Sequence, residues 1–236
     1  MAQFKVLVAR ELRDLVMQYS ALALMVVFSI ILPVAAAWYV STMGSTPAFS
    51  FQSLFDLVSI ELCVFPSFVP MMLSSSSLAA EFENRTLMAL LAAPVSDRVL
   101  LVSKVCGILL PSIFQPLASE IIYFISSRYL FGIQATFGFD FIAFLIFFAS
   151  GYETLIVIVG FTLSARVRKA RSAQQYGSLI LLPLMLGSLL GMPYWIYSQG
   201  INAVDKFVVP SSLFVIMFSF LILPRIWNRF SLSEKV

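Results

Sequence analysis

The sequence predicts an all-α, polytopic membrane protein with six transmembrane helices, and three observations lead to this fold class. Of the 236 residues, 60% are hydrophobic and only 11% are charged, whereas a soluble domain carries about 25% charged residues. Apolar segments long enough to cross a hydrocarbon core of about 30 Å recur along the chain. Lys and Arg are concentrated on alternate links between these segments. A water-soluble fold is excluded, because so much apolar surface has to face lipid.

Residues 1–20 are predicted to form an amphipathic helix that lies at the membrane interface. Charged and apolar side chains alternate there at helical spacing, as in helices that float on a membrane surface. A simple anchor that orients the first span is the alternative interpretation. The apolar face comprises Phe4, Leu7, Val8, Leu12, Leu15, Val16 and Tyr19.

Six apolar segments follow, each predicted to be a transmembrane helix, and the whole chain, 1–236, is expected to form one transmembrane domain. When the N-terminus is placed inside, thirteen of the fifteen Lys and Arg residues fall on the inner side. This asymmetry predicts a multi-pass protein of the cell membrane with both termini in the cytoplasm. The predicted spans are 21–40, 54–79, 99–126, 141–163, 176–197 and 207–223.

A second amphipathic helix is predicted over residues 81–94, between the second and third spans. Glu81 and Glu83 would lie in its first turn, where the helix dipole favours acidic side chains, and Pro94 would end it. Such a helix is either a docking surface for a partner protein or a connector that floats on the lipid headgroups. Its apolar stripe comprises Phe82, Leu87, Leu90 and Leu91.

The same segment carries a sequence motif that spans Glu81 to Lys104. It consists of Glu81, Glu83, Asn84-Arg85-Thr86-Leu87, Leu90-Leu91, Pro94-Val95-Ser96 and the basic Lys104. This motif resembles the inner loop of the type-2 ABC transporter permeases, and the stretch ARSAQQ at 170–175 is a second match. The chain departs from the family pattern at two positions. Arg85 replaces the glycine usual before the threonine, and Met88 replaces the acidic residue usual after the leucine.

The resemblance implies a half-transporter that pairs with a second permease, either another copy or a paralogue, and with two ABC ATPase subunits. The helix at 81–94 would be the coupling helix, and the N-terminal helix would be the other contact with the ATPase. The chain has no GxxxxGK[ST] phosphate loop, so ATP and Mg²⁺ are expected on the partner ATPase and no cofactor or metal on this chain. The predicted ATPase contacts are Arg10, Glu11, Arg13, Glu81, Glu83, Arg85, Thr86, Leu87, Leu90, Leu91 and Pro94.

Three glutamates lie inside the predicted spans and are candidates for a substrate pathway, together with Ser75. A charge at the bilayer centre costs about 2.5–3.5 kcal/mol, so such side chains face protein or water. By helical rise, Glu61 and Glu120 are expected at one depth, with Glu153 isolated nearer the middle. They would attract a cation or the polar part of an amphiphile. The alternative is that they are neutral carboxyls hydrogen-bonded to neighbouring helices, or that Glu120 reaches Arg128.

The function predicted from these features is ATP-driven export of an amphiphile, drug, lipid, peptide or ion, without catalytic residues on this chain. A sodium-efflux or haem-exporter permease of the same family is an alternative. The chain contains no His, the usual haem ligand, which makes the haem exporter the less favoured of the two. A non-transporting membrane scaffold is the alternative from another class. The net charge of +3 is too small to indicate a nucleic-acid partner, so the expected partners are the ATPase, a second permease and membrane lipid.

Overall fold

The computed structural model describes residues 2–43, 51–85, 97–133, 138–167, 169–199, 210–219 and 221, whose regular structure is entirely helical. The first helix, α1, is Ala2–Met17, which confirms a helix in the predicted N-terminal segment. It ends at a bend at Gln18, whose backbone is extended (φ −84°, ψ 91°). Because this bend interrupts the helix, α1 and the next helix are two separate rods.

Four helices in the described residues are long and apolar enough to cross a membrane, and they coincide with the first four predicted spans. They are α2 (Tyr19–Met43), α3 (Leu54–Glu83), α4 (Val99–Leu130) and α5 (Phe139–Ser164).

The fifth and sixth predicted spans overlap two further helices, α6 (Ala170–Gln199) and α7 (Pro210–Ser219). The structure therefore places helices at all six predicted positions. That α6 and α7 also cross the membrane stays a prediction.

Proline distorts the long apolar helices without ending them. In α2, a π-helical turn at Val27–Ile31 precedes Pro33, which has no N–H to donate to the preceding turn. In α3, a 3-10 turn at Phe65–Ser67 contains Pro66. It separates the segment Phe68–Glu83 from the preceding helical segment Phe51–Val64, which begins three residues before the apolar stretch. Each of these turns bends its helix without interrupting the apolar segment.

The helix α3 lies against α4, α5 and α6 and is the centre of the described bundle. Its approach to α5 is close because Gly160 has no side chain at the point where Ser74 packs. One turn further on, the Ser164 hydroxyl of α5 accepts hydrogen bonds from the backbone N–H groups of Leu78 and Ala79, both at 2.8 Å. The small residues thus hold the second halves of α3 and α5 together as one unit.

The end of α3 differs from its predicted position. The second span was predicted to end at residue 79 and the coupling helix to begin at 81, but α3 continues without interruption to Glu83. Glu81 and Glu83 therefore lie in the last turn of α3, because the acidic pair does not break a helix already in progress. Residues 86–96, which hold the rest of the predicted coupling helix, lie outside the described residues.

Candidate functional site

Three charged side chains from three helices meet where α1 packs against the bundle, and we call them the charged triad: Glu11, Glu81 and Lys104. The Lys104 ammonium lies 3.0 Å from Glu11 Oε1 and 2.6 Å from Glu81 Oε1. The Lys104 side chain is only 7% exposed, and those of Glu81 and Glu11 are 13% and 18% exposed. Because water is largely excluded, each contact is stronger than a surface ion pair.

A glycine brings α1 close enough to α4 for the triad to form. A Cβ atom at Gly107 would lie 2.6 Å from Glu11 Cβ, so any side chain there would push α1 away. Leu15, one turn after Glu11, is buried at 7% exposure. The side of α1 that carries Glu11 and Leu15 therefore packs on protein, whereas Val16 and Tyr19 are exposed.

A polar cavity of about 190 Å³ lies beside the triad, between α1, α3 and α4. Besides the three triad residues, its walls include Arg10, Asp14 and Gln18 of the N-terminal region and Ser76 and Ser77 of α3. Its mixture of both charge signs and hydroxyl groups suits water rather than an apolar ligand.

Glu83 points to a different neighbour. Its Oε2 accepts a hydrogen bond from the backbone N–H of Ala170, at 3.1 Å. Ala170 is the first residue of α6, where unpaired N–H groups and the helix dipole favour a carboxylate. The last turn of α3 is thus joined to α4 through Glu81 and to α6 through Glu83, and Lys104 extends the first connection to α1.

Arg85 has a left-handed backbone conformation, with φ at +55°. Its N–H donates to the carbonyl of Phe82, so it closes the C-terminus of α3 in the position that glycine normally takes. A side chain is disfavoured in this conformation. This is a physical reason for the glycine that is usual at this position in the resembled family, and Arg85 keeps the turn that the glycine would form.

The predicted ATPase contacts fall into three groups in the structure. Arg10, Arg13, Glu83 and Arg85 are exposed, and Arg10 pairs with Asp14 along α1 at 3.7 Å. Glu11 and Glu81 face inward as members of the charged triad. The remaining five lie outside the described residues: Thr86, Leu87, Leu90, Leu91 and Pro94.

A second polar group, which we call the polar ladder, lies within the apolar length of the bundle. It comprises Ser59, Cys63 and Ser67 on α3, spaced four residues apart, with Glu120 of α4 and Glu153 of α5. The Cys63 thiol lies 3.8 Å from Glu120 Oε1, and the Ser67 hydroxyl donates to Glu153 Oε1 at 2.8 Å. Ser59 lies beside Glu120. Residues four apart share one face of a helix, so a single face of α3 meets both glutamates.

Both ladder glutamates are deeply buried and keep an unused acceptor. Glu120 is 6% exposed and Glu153 is fully buried. The second carboxyl oxygen of each has no hydrogen-bond partner among the described residues, and none of the ion pairs found there includes them. A buried carboxyl oxygen without a hydrogen-bond donor raises the free energy of the folded state. The second oxygens of Glu120 and Glu153 therefore favour the binding of a ligand, a water molecule or a proton at this position.

Glu61 and Glu120 were expected at one depth, but the side chain that contacts Glu120 is that of Cys63, and both carboxyl oxygens of Glu61 lack a hydrogen-bond partner among the described residues. Glu61 and Cys63 are two residues apart and so point about 200° away from each other on α3. Since Cys63 faces Glu120, Glu61 lies on the opposite side of α3, where it interacts electrostatically with Tyr152 of α5. Glu153 was expected to be isolated. Instead, it contacts the same face of α3 that Glu120 contacts.

Asp56 is a buried carboxylate within the predicted second span that sequence reasoning missed. It is 8% exposed, and it accepts a hydrogen bond from Gln52 at 2.7 Å. The fully buried Tyr123 stacks on Phe55 with ring centroids 4.7 Å apart and interacts with both Asp56 and Glu120. The signal in the sequence was the i, i+4 spacing of Gln52 and Asp56, which allows mutual hydrogen bonding on a helix.

Ser75 packs between α3 and α6. Its hydroxyl donates to the Met72 carbonyl at 3.2 Å, and a Cβ atom at Gly177 would lie 3.1 Å from its Oγ. The neighbouring Ser76 and Ser77, rather than Ser75, line the cavity beside the triad.

Comparison with known protein families supports the resemblance seen in the motif. A family model described as "ABC-2 family transporter protein" matches residues 17–170, which is more than half of the chain. The match includes all four long apolar helices, Glu81 and Lys104 of the triad, and the whole polar ladder. A comparison with curated proteins gives no match.

Proposed function

The chain belongs to the ABC-2 family of transporter proteins, and from that premise we propose that it is the transmembrane subunit of an ATP-driven exporter. ATP and Mg²⁺ bind to separate ABC ATPase subunits, and a second permease, either a copy or a paralogue, completes the pathway. The observation that carries this proposal is the family match over the four apolar helices, which makes the chain a membrane protein and a transporter component.

The end of the bundle that holds α1 and the charged triad is the side on which we place the ATPase. Most of the Lys and Arg residues that the structure describes lie at this end, as they do on the cytoplasmic surfaces of membrane proteins. The exposed Arg10, Arg13 and Arg85 are available to an acidic or polar partner surface there. With six spans across the cell membrane, this orientation places both termini in the cytoplasm.

The first expected result is that the full chain, solubilised in a mild detergent, co-purifies with an ABC ATPase whose ATP hydrolysis rate depends on it. Leu87→Asp, in the predicted apolar stripe of the coupling helix, should weaken this association by about tenfold, the effect of losing about 1.4 kcal/mol. The measurements are the amount of ATPase retained and the hydrolysis rate in reconstituted vesicles.

Phe139→Asp is the matched control. It also replaces an apolar residue by a carboxylate, at an 84% exposed position on the opposite end of the bundle, and it should leave the association unchanged. A chain that retains no ATPase under any condition would contradict the proposed function and favour the scaffold.

We propose further that the polar ladder and Glu61 lie along the substrate pathway. The support is their place within the apolar length of α3, α4 and α5, together with carboxyl oxygens that have no partner among the described residues. Carboxyl groups in such a place attract cations, ammonium groups or hydroxyl donors. The substrate is therefore expected to carry a cationic or hydrogen-bond-donating group.

The second expected result concerns the carboxyl groups of Glu61 and Glu120. Glu61→Gln and Glu120→Gln should each lower substrate-stimulated ATP hydrolysis and transport by about tenfold, because an amide keeps the shape but loses the ability to become negative. A panel of amphiphiles, peptides and Na⁺ tested with the reconstituted complex identifies the stimulating substrate.

Asp140→Asn, at an exposed carboxylate near the start of α5, is the control and should leave both rates unchanged. Expression and ATPase association should be normal in all three variants. Unchanged transport in both glutamine variants would remove these residues from the pathway.

A further inference from the structure

The helix α1 is mechanically separate from the apolar helix that follows it. The extended backbone at Gln18 interrupts the helical hydrogen bonding between Met17 and Tyr19. A rod joined only through such a bend can tilt relative to the next rod, since a few backbone dihedral angles absorb the change. Side-chain contacts therefore decide whether α1 moves with the bundle.

Among the described residues, the buried ion pair between α1 and the bundle is made by the ammonium group of Lys104. Lys104 lies 3.0 Å from Glu11 of α1 and 2.6 Å from Glu81 of α3. One nitrogen thus joins α1, α3 and α4. The Lys104 side chain is 7% exposed, so water and salt compete little with either contact.

Glu81 lies in the last turn of α3, a few residues before the remainder of the predicted coupling helix at 86–94. Any displacement of the segment after Glu83 acts first on this turn. The carboxylate of Glu81 would pass that displacement to Lys104, and Lys104 would pass it to Glu11. The cavity of about 190 Å³ next to these groups leaves space for α1 to move, which a fully packed junction would not.

We propose that Lys104 is a positioning residue that makes α1 follow the end of α3 when the ATPase binds nucleotide. This inference rests on the proposed function and adds to it a specific transmission element, the charged triad. The triad then has a role beyond stability. It converts movement at the coupling segment into a reorientation of the N-terminal helix relative to the apolar bundle.

The test compares two substitutions of Lys104 in the complex of the full chain with its ATPase. Lys104→Met keeps the length of the side chain and removes the charge, whereas Lys104→Arg keeps a charge that can still bridge two carboxylates. Spin labels are attached through Val6→Cys on α1, 68% exposed, and Tyr129→Cys at the far end of α4, 77% exposed. Cys106→Ala removes the partly exposed native thiol, and Cys63 is kept because its side chain is fully buried.

The distance between the labels is measured without nucleotide and with ATP plus vanadate. The parent and Lys104→Arg should show a nucleotide-dependent shift of about 2 Å or more, the scale of helix movements at such junctions. Lys104→Met should lose the shift while ATPase association and basal ATP hydrolysis remain. Lys5→Met, at an exposed position of α1 outside the triad, should behave as the parent.

A shift that persists in Lys104→Met would overturn the inference, and so would a parent complex with no shift. If Lys104→Met does not fold, Glu11→Gln carries the same expected loss, since it removes only the α1 arm of the triad. Failure to bind any ATPase would contradict the proposed function instead. In that case, the amide hydrogen-exchange rate of residues 2–17 is measured in the free chain. Lys104→Met should raise this rate about tenfold. An unchanged rate would overturn the role of Lys104.

Discussion

Gly160→Ala is expected to destabilise the chain by about 1–3 kcal/mol, because the added methyl group has no space between α5 and α3. A Cβ atom at Gly160 would overlap Ser74 Oγ and would lie 2.8 Å from Ser74 Cβ and 3.1 Å from the backbone nitrogen of Ser75. The backbone atom cannot rotate away, so the two helices have to separate. The measurement is the free energy of unfolding from titration with a denaturing detergent.

Gly187→Ala is the matched control for this substitution. Gly187 also lies within a long helix, α6, but a Cβ atom there meets no atom of the described residues within 4 Å. Alanine is favoured over glycine in a helix by about 1 kcal/mol, so this variant should be neutral or slightly more stable. Ser74→Gly should relieve part of the Gly160→Ala defect, since it removes two of the three close atoms. An equal loss of stability in both alanine variants would contradict close packing at Gly160.

Lys104→Met is expected to lower the free energy of unfolding by about 3 kcal/mol. Removing one partner of a buried ion pair leaves an uncompensated charge, and here two carboxylates, Glu11 and Glu81, would face each other without the ammonium between them. The effect should exceed that of Lys5→Met, which removes the charge of an exposed side chain. The same detergent titration measures both.

The triple variant Glu11→Gln, Glu81→Gln, Lys104→Met separates charge from packing. Replacing all members of a buried ionic group by neutral residues of similar volume is often neutral or stabilising. The triple variant should therefore recover most of the stability lost in Lys104→Met. If it is as unstable as the single variant, packing by the Lys104 side chain rather than its charge holds α1 in place.

Local patterns were sufficient to predict the helices. The first four apolar segments are helices of spanning length, and the N-terminal amphipathic segment is a helix separate from the first apolar one. These predictions succeed because apolar length and helical periodicity are properties of consecutive residues. The end of α3 was misplaced, because Glu81 and Glu83 are equally compatible with the first turn of a new helix and the last turn of an old one.

The contacts between distant residues were not predictable in the same way. Depth along a helix follows from the rise per residue, and it suggested Glu61 as the neighbour of Glu120. Which side chains meet depends also on the rotation of each helix about its axis, and this is why Cys63 faces Glu120 instead. The four-residue spacing of Ser59, Cys63 and Ser67 was visible, but small polar residues at that spacing also occur where helices simply pack closely.

The sequence by itself determined the membrane environment, the helical class and the family motif, since each of these is recorded in composition, in local periodicity or in consecutive residues. Only the tertiary structure decided that Lys104 joins Glu11 and Glu81, and that Glu120 and Glu153 share one face of α3. The residues in contact are 23 to 93 positions apart in the chain: 23 for Lys104 and Glu81 (104 − 81), and 57 to 93 for the other pairs. Their meeting depends on how the helices rotate and cross, which is set by the packing of many side chains together.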